Sequence, residues 1–169
     1  MAKDTRHMTL DNSSDNSPCN SPDSTSGHTS YNNMAESVNL IIQSHPEELK
    51  QVRNLVIDIL SKTTISKPKL QLITLAVNEA CSNIIKHGYK NDYNQKIKIT
   101  ISLETKTLTI TIIDNGIKFD INSIEPRDVN EIKPGGLGLH IMEEVMDRVE
   151  HSHTSQNFNK LTMVKNLLS

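Results

Sequence analysis

Two runs of alternating residues in the middle of the chain constrain its fold more than any other feature. Residues 96–101 read Lys-Ile-Lys-Ile-Thr-Ile and residues 107–112 read Thr-Leu-Thr-Ile-Thr-Ile, so an apolar side chain recurs at every second position. Alternation of this kind is typical of a strand with one buried face, and the short link at residues 104–106 predicts an antiparallel hairpin. We therefore expect a sheet whose isoleucines face a single core.

Helix and strand signals on both sides of this hairpin predict the remaining elements. Strands are expected at residues 38–42, 148–153 and 160–167, and helices after Ser44, at residues 69–87 and after Gly138. Ser44 reads as the N-cap of the first helix because a proline and two acids follow it, and Gly88 occupies the position favoured for a C-terminal cap of the second. This order predicts an α/β (α+β) two-layer sandwich with a mixed, mostly antiparallel sheet covered by helices on one face.

Length and charge limit the functional classes to which the chain can belong. The 169 residues suffice for one domain with a tail, and the net charge of -2 with a pI near 6.4 gives no electrostatic support for a nucleic-acid or anionic-membrane partner. No apolar run approaches the roughly 20 residues of a spanning helix, and the N-terminus lacks the apolar core of a signal peptide. We therefore expect a cytoplasmic protein in which Cys19 and Cys81 form neither a disulfide nor a zinc site.

The N-terminal segment has a composition unlike that of the rest of the chain. Residues 11–33 are almost all Ser, Asn, Asp, Thr, Pro and Gly, and they show no apolar periodicity. A segment of this composition cannot bury enough apolar surface to offset the entropy of ordering. We expect a disordered Ser/Asn-rich tail over residues 1–33 and a folded domain over residues 34–169.

Three polar residues stand at steps of four inside the otherwise apolar second helix. Glu79, Asn83 and His87 therefore share one helix face, which is either a solvent-facing stripe or a face that binds a ligand or an ion. In the second case the Asn83 amide could supply the one neutral oxygen that a nucleotide-bound Mg²⁺ requires, and Glu79 is the only acid on this helix able to act as a general base. His87 either contacts phosphate or is a structural residue that satisfies carbonyls at the helix end.

Two segments beyond this helix also have the chemistry of a nucleotide site. The Asp-Asn-Gly sequence at residues 114–116 is either a two-residue hairpin turn, or a site where Asp114 accepts a hydrogen bond from the adenine amine while Gly116 lets the backbone approach the base. The Gly-Gly-Leu-Gly sequence at residues 135–138 opens a helix, where backbone N–H groups can hold phosphate. Its spacing matches neither a P-loop nor a dinucleotide-binding fingerprint. Residues 117–134 form a long connection between these two segments, and such a length is typical of a lid.

These motifs in combination resemble the anti-sigma factor serine/threonine kinases. The resemblance rests on residues 76–83 with 87–89, residues 114–116 and residues 135–139, and it covers about Met34 to the C-terminus. The family belongs to the ATPase superfamily shared with DNA gyrase, histidine kinases and a heat-shock chaperone. The resemblance implies a Bergerat-type ATP-binding fold that uses ATP and Mg²⁺, with Glu79 as the catalytic base and Asn83 as the magnesium ligand. The implied ATP-binding residues are Asn83, His87, Asp114, Gly116, Gly135, Gly136, Gly138, Leu139 and Thr162, the last through a water between its hydroxyl and adenine.

The resemblance also implies a role in bacterial partner switching. The family implies a homodimer that holds a sigma factor inactive and phosphorylates a serine on an anti-sigma factor antagonist. Two alternatives are an ATP-binding anti-sigma or adaptor module without kinase activity, and a detached histidine kinase domain, which is disfavoured because nothing before Met34 resembles paired dimerisation helices. The chain departs from the wider superfamily at Lys118, where a glycine is frequent, and from the family at Pro134, where a charged residue is frequent. Arg127 and Lys133 are the candidates for contact with the terminal phosphate.

Overall fold

The structure is a computed structural model that describes residues 36–118 and 137–168. The tail predicted at residues 1–33, Gly135, Gly136 and all but the first two residues of the predicted lid lie outside this part. Within the described ranges, no helix combines the length and the apolar character that crossing a membrane would require.

One antiparallel sheet and three helices make up the described part of the chain. The strands are β1 (Glu36–Gln43), β2 (Lys96–Glu104), β3 (Thr107–Asp114), β4 (Arg148–His153) and β5 (Asn159–Asn166). The helices are α1 (Leu49–Leu60), α2 (Lys67–Asn83) and α3 (Leu137–Val145), with a short 3-10 turn, Pro46–Glu48, before α1 and a π-helical turn, Ile84–Gly88, after α2. The strand order is β1-β2-β3-β5-β4, and each neighbouring pair is antiparallel. The last strand in the sequence therefore lies inside the sheet.

The two faces of the sheet differ in polarity, as the alternation of residues predicts. On one face Ile101, Ile110 and Met163 stand side by side, and none of them is more than 1% exposed. The adjacent row on the opposite face consists of three threonines, Thr100, Thr111 and Thr162. Buried residues of all three helices join the apolar face in one core. The predicted two-layer α/β sandwich is confirmed, and the sheet, expected to be mixed, is antiparallel throughout the described strands.

The chain enters α1 differently from the prediction. Ser44 is fully buried, and its hydroxyl donates to the Asp92 carbonyl oxygen at 2.5 Å and accepts from the Gln95 N–H at 3.1 Å. Ser44 is therefore wrong as the N-cap, because its hydroxyl fastens the end of β1 to the loop before β2. His45 caps the 3-10 turn before α1, with its Nδ1 accepting from the Glu47 N–H at 3.4 Å, whereas Glu48, the cap residue of α1 itself, makes no side-chain capping bond.

The end of α2 also differs from the predicted helix over residues 69–87. Regular α-helical bonding ends at Asn83, and the Tyr89 N–H then closes a wider turn on the Ile84 carbonyl oxygen at 2.8 Å. A π-helical turn holds one more residue than an α-helical turn, so it changes the side of the helix on which the following side chains lie. His87 is exposed, whereas Glu79 and Asn83 are half-buried. The three polar residues therefore do not form one continuous face.

Candidate functional site

Glu79 and Asn83 lie where α2 meets the first turn of α3. A methyl group placed on Gly138 would be 2.9 Å from Glu79 Oε2 and 3.1 Å from Asn83 Nδ2. Gly138 is buried, and the absence of a side chain leaves the space that these two polar groups occupy. The first turn of a helix has backbone N–H groups without intrahelical partners and lies at the positive end of the helix dipole. A carboxylate, an amide and an anion-attracting helix start therefore come together.

Asp114 forms a second polar centre at the end of β3. Its side chain is only 7% exposed, and its Oδ1 accepts from the Gly116 N–H at 2.8 Å and from Asn159 Nδ2 at 2.9 Å. The chain does not turn back at residues 115–116 into a strand beside β3, because the partners of β3 are β2 and β5. The hairpin-turn explanation of the Asp-Asn-Gly sequence is therefore wrong, and Asp114 is a buried carboxylate with one oxygen engaged by two donors.

Gly116 is packed directly against the backbone of Gly88. A methyl group on Gly116 would lie 2.8 Å from both the carbonyl carbon and the carbonyl oxygen of Gly88, and 3.0 Å from Asp114 Oδ1. The Ile117 N–H donates to the same Gly88 carbonyl oxygen at 2.9 Å. This contact joins the π-helical turn after α2 to the residues that follow β3. The position accepts only glycine because the atoms facing it belong to the main chain.

Tyr89, the residue after the π-helical turn, stabilises the contact between Gly116 and Gly88. Its hydroxyl lies 2.6 Å from the Lys96 carbonyl oxygen and 2.9 Å from Asn115 Oδ1, and it accepts from the Asn115 N–H at 3.2 Å. Burial raises the pKa of Tyr89 to about 12, and the charge of Asp114 acts in the same direction. The hydroxyl therefore stays protonated at neutral pH, and its contacts with the side chain and the N–H of Asn115 fix the backbone directly after Asp114.

Asn159, the first residue of β5, reaches the site, whereas Thr162 does not. Leu161 and Met163 are buried on the helix-covered face, so alternation places Asn159 on that face and Thr162 on the opposite one. Thr162 pairs in register with Thr111 on the open face. Sequence reasoning missed Asn159 although the spacing of Leu161 and Met163 carried the signal. The water-mediated adenine contact implied for Thr162 therefore has no geometric support.

Comparison with known protein families identifies this arrangement. The profile of the histidine kinase-like ATPase domain matches residues 42–165 of the chain. The chain belongs to this family. The sequence-based recognition of an ATPase of the histidine kinase superfamily is thereby confirmed.

Relatives of this ATPase domain include serine-protein kinases. The serine-protein kinase RsbW of Bacillus subtilis (strain 168) is 27% identical over 125 residues, which cover 69% of this chain and 78% of that protein. The RsbW protein of Bacillus cereus (strain B4264) is 29% identical over 126 residues, with 70% and 78% covered. These relatives are consistent with the predicted resemblance to the anti-sigma factor kinases.

A solved structure supports the same fold. The crystal structure of the RsbU and RsbW domains of a Mycobacterium tuberculosis protein superimposes with a TM-score of 0.57 at 16% identity. The matched region covers 78% of this chain and 32% of that one. At this identity the similarity shows that the ATPase domain shares the fold of that structure.

Leu139 and His87, two other predicted site residues of the ATPase domain, differ in burial. Leu139, one residue after Gly138, is half-buried and packs against the core. His87 lies exposed in the π-helical turn, beyond the α-helical segment that holds Glu79 and Asn83. Glu79, Asn83, Asp114, Gly116 and Gly138 form two centres that α2 and its π-helical turn connect.

Cys81 is a fully buried core residue of α2, two positions from Glu79 and from Asn83 in the sequence of the ATPase domain. Burial, and next the charge of Asp114, raise the pKa of the Cys81 thiol to about 12. The side chain is fully buried on α2 between Glu79 and Asn83 in the sequence. The thiol therefore behaves as a small apolar group of the core.

Cys81 is expected to resist alkylation while the domain is folded. A pKa near 12 instead of 9.0 reduces the thiolate fraction at pH 8 by about 10³-fold, and thiolate is the reactive form. Iodoacetamide labelling, followed by mass spectrometry of the peptide that contains Cys81, should be fast in urea and very slow in buffer. Equal rates in the two conditions would show that the thiol is accessible in the folded state.

Proposed function

We propose that this ATPase domain is a protein-serine kinase that transfers the terminal phosphate of ATP to a serine of an anti-sigma factor antagonist, and that it also holds a sigma factor inactive. The observation that carries the proposal is the meeting of Glu79, Asn83 and Gly138 at the start of α3. Membership of the ATPase family accounts for the use of ATP, and the RsbW relatives support the serine kinase assignment. The proposal includes a cytoplasmic homodimer, with neither nucleic acid nor membrane as a partner.

Glu79 is the general base in this proposal. Its carboxylate accepts the proton of the serine hydroxyl as the bond from that oxygen to the terminal phosphorus forms and the bond to ADP breaks. The geometry suits this role because Oε2 lies against the first turn of α3, where backbone N–H groups and the helix dipole attract phosphate. The proton acceptor and the phosphate-binding element are therefore neighbours.

Asn83 is the residue proposed to hold Mg²⁺. Its side-chain amide lies next to Glu79 at the helix start, and its oxygen is a hard, neutral donor of the kind that Mg²⁺ takes. The described residues contain no group of three or more His, Cys, Asp or Glu side chains arranged around an ion. A donor set of this kind fits an ion that nucleotide phosphates and water mainly coordinate. When bound, the ion would neutralise charge on the phosphates, while Asn83 fixes their position relative to Glu79.

Asp114 is proposed to bind the adenine amine. Two donors engage its Oδ1, and no described residue donates to its Oδ2. Asp114 Oδ1 faces Gly88 in the π-helical turn, whereas Glu79 and Asn83 lie before that turn on α2. Residues 79–88 would span about 13 Å at the rise of a regular helix. This separation allows the base to bind at one end and the phosphates at the other.

The kinase assignment is tested by direct transfer of label. The purified chain is incubated with Mg²⁺ and ATP labelled at the terminal phosphate, together with the small proteins encoded next to its gene. We expect one small protein to become labelled on serine, and a second protein, of the sigma factor class, to co-purify without label. ATP binding without transfer to any candidate would favour the module that lacks kinase activity.

Gly138→Ala is expected to reduce phosphoryl transfer by about 10²-fold with little loss of stability, because small misplacements of catalytic groups cost that much. The added methyl group would lie 2.9 Å from Glu79 Oε2, at the far end of a flexible side chain that can move away. The measurement combines the transfer rate with a thermal melt. His140→Ala on the same helix is the control, since that side chain is 70% exposed and contacts Glu144. A normal transfer rate for Gly138→Ala would contradict the proposed position of Glu79.

A further inference from the structure

The side chain of Asn159 joins three acceptors at the base end of the site. Its Nδ2 lies 2.9 Å from Asp114 Oδ1, 3.1 Å from the Gly116 carbonyl oxygen and 3.4 Å from the Ile117 carbonyl oxygen. All three neighbours are oxygens, so the amide nitrogen, and not the amide oxygen, must face them. Asn159 is therefore oriented unambiguously and donates both of its N–H groups in this direction.

These hydrogen bonds fix the rotation of the Asp114 carboxylate. A carboxylate that accepts a single hydrogen bond can still turn about its last bond. Asp114 Oδ1 instead accepts two, one from the Gly116 N–H and one from the Asn159 amide. The burial of Asp114, at 7% exposed, makes both bonds costly to leave unmade. The second oxygen, Oδ2, is thereby held as the acceptor that a ligand meets.

We propose that Asn159 is a positioning residue that makes this site select adenine, the purine with an amine at C6, over guanine. The inference rests on the proposed nucleotide site and adds the residue that determines its base preference. Adenine presents an amine to a fixed carboxylate oxygen, whereas guanine presents a carbonyl oxygen at the same position and is repelled. A freely rotating Asp114 would discriminate less, because either oxygen could move away from the guanine carbonyl.

Asn159 also links the Asp114 carboxylate to the main chain that follows β3. The same amide that holds Asp114 donates to the Gly116 carbonyl oxygen, and the Gly116 backbone packs on Gly88. A hydroxyl group has a single hydrogen and could serve only one of these acceptors. The asparagine amide is therefore the smallest side chain that can hold both the carboxylate and the adjoining main chain.

The test measures the affinities for Mg-ATP and Mg-GTP by calorimetry on the full chain. Asn159→Ala should weaken ATP binding about tenfold, the value of one to two hydrogen bonds, while GTP binding changes little, so the ATP:GTP preference falls. Asn159→Ser keeps one donor and should have an intermediate preference. Asn39→Ala is the matched control, since Asn39 lies on the open face of the same sheet, bonded to Thr100, and it should keep the wild-type preference.

The outcomes separate this inference from the proposed function. In a kinase assay the Asn159 variants should raise KM for ATP and leave kcat unchanged, because the base end does not take part in proton transfer. A purely structural role would lower the thermal midpoint without changing the ATP:GTP preference, and that result would overturn the inference while the kinase proposal stands. If Asn159→Ala does not fold, Asn159→Ser decides by the same ratio. A wild-type chain that binds ATP but phosphorylates nothing would refute only the kinase function, whereas one that binds no ATP would refute both.

Discussion

Replacing Glu79 with glutamine is expected to slow phosphoryl transfer by about 10²- to 10⁴-fold, the contribution of a general base. The substitution keeps the size of the side chain and removes the group that accepts the proton. Glu79 lies against Gly138 at the start of α3 and not at the base end of the site, so the affinity for Mg-ATP should remain within a few-fold of wild type. Binding to the sigma factor should also persist.

Single-turnover transfer and equilibrium ATP binding measured on the same preparation separate these effects. A fall in kcat with an unchanged dissociation constant indicates a residue that acts mainly in the transition state. Glu144→Gln is the matched control, because the Glu144 side chain is 72% exposed on α3 and pairs with His140. Transfer at the wild-type rate by Glu79→Gln would make Glu79 a structural acid and would favour a binding module without kinase activity.

Gly116→Ala is expected to destabilise the fold by about 2 kcal/mol or more and to abolish ATP binding, since forcing extra atoms into a packed site typically costs 1–3 kcal/mol. The methyl group would lie 2.8 Å from two backbone atoms of Gly88, which cannot move without disturbing the π-helical turn. The Ile117–Gly88 hydrogen bond and the contact between Gly116 and Asp114 would be lost with it. Urea unfolding gives the change in stability, and calorimetry gives the change in ATP affinity.

Gly88→Ala is the control on the opposite side of the same contact. A methyl group on Gly88 would meet its nearest neighbour, Ile84 Cγ2, at 3.7 Å and Asp114 Oδ1 at 3.8 Å, which are ordinary van der Waals distances. This variant should therefore keep most of its stability. Similar losses for the two glycine substitutions would show that the close approach of the two backbones does not explain the requirement for glycine at residue 116.

The sequence predicted those parts of the fold that depend on local periodicity. The alternation at residues 96–101 and 107–112 was sufficient for the β2–β3 hairpin, because a period of two leaves only one buried face. The glycine and carboxylate motifs indicated the correct ends of α3 and β3. Local patterns could not predict that these motifs meet in space, because that depends on tertiary packing. The resemblance to a known family was the basis for that expectation.

Tertiary packing also explains what the sequence did not predict. The Ser44 hydroxyl bonds to residues about fifty positions away, and no local signal distinguishes that use from a helix cap. The π-helical turn at Ile84–Gly88 has no sequence periodicity of its own, so the spacing of four predicted a shared helix face that the exposed His87 does not continue. Thr162 was implied by the family resemblance, whereas the alternation of β5 places Asn159, and not Thr162, on the helix-covered face.

The position of β5 inside the sheet has a consequence for how the protein folds during its synthesis. β3 remains an edge strand until β5 emerges from the ribosome and inserts between β3 and β4. A nascent chain that ends before residue 159 already contains Glu79, Asn83 and Asp114, but it lacks the amide that fixes the Asp114 carboxylate. Pairing between strands far apart in the sequence is slow and leaves an open edge during synthesis. We therefore expect full affinity for ATP only after β5 has been synthesised and has paired with β3.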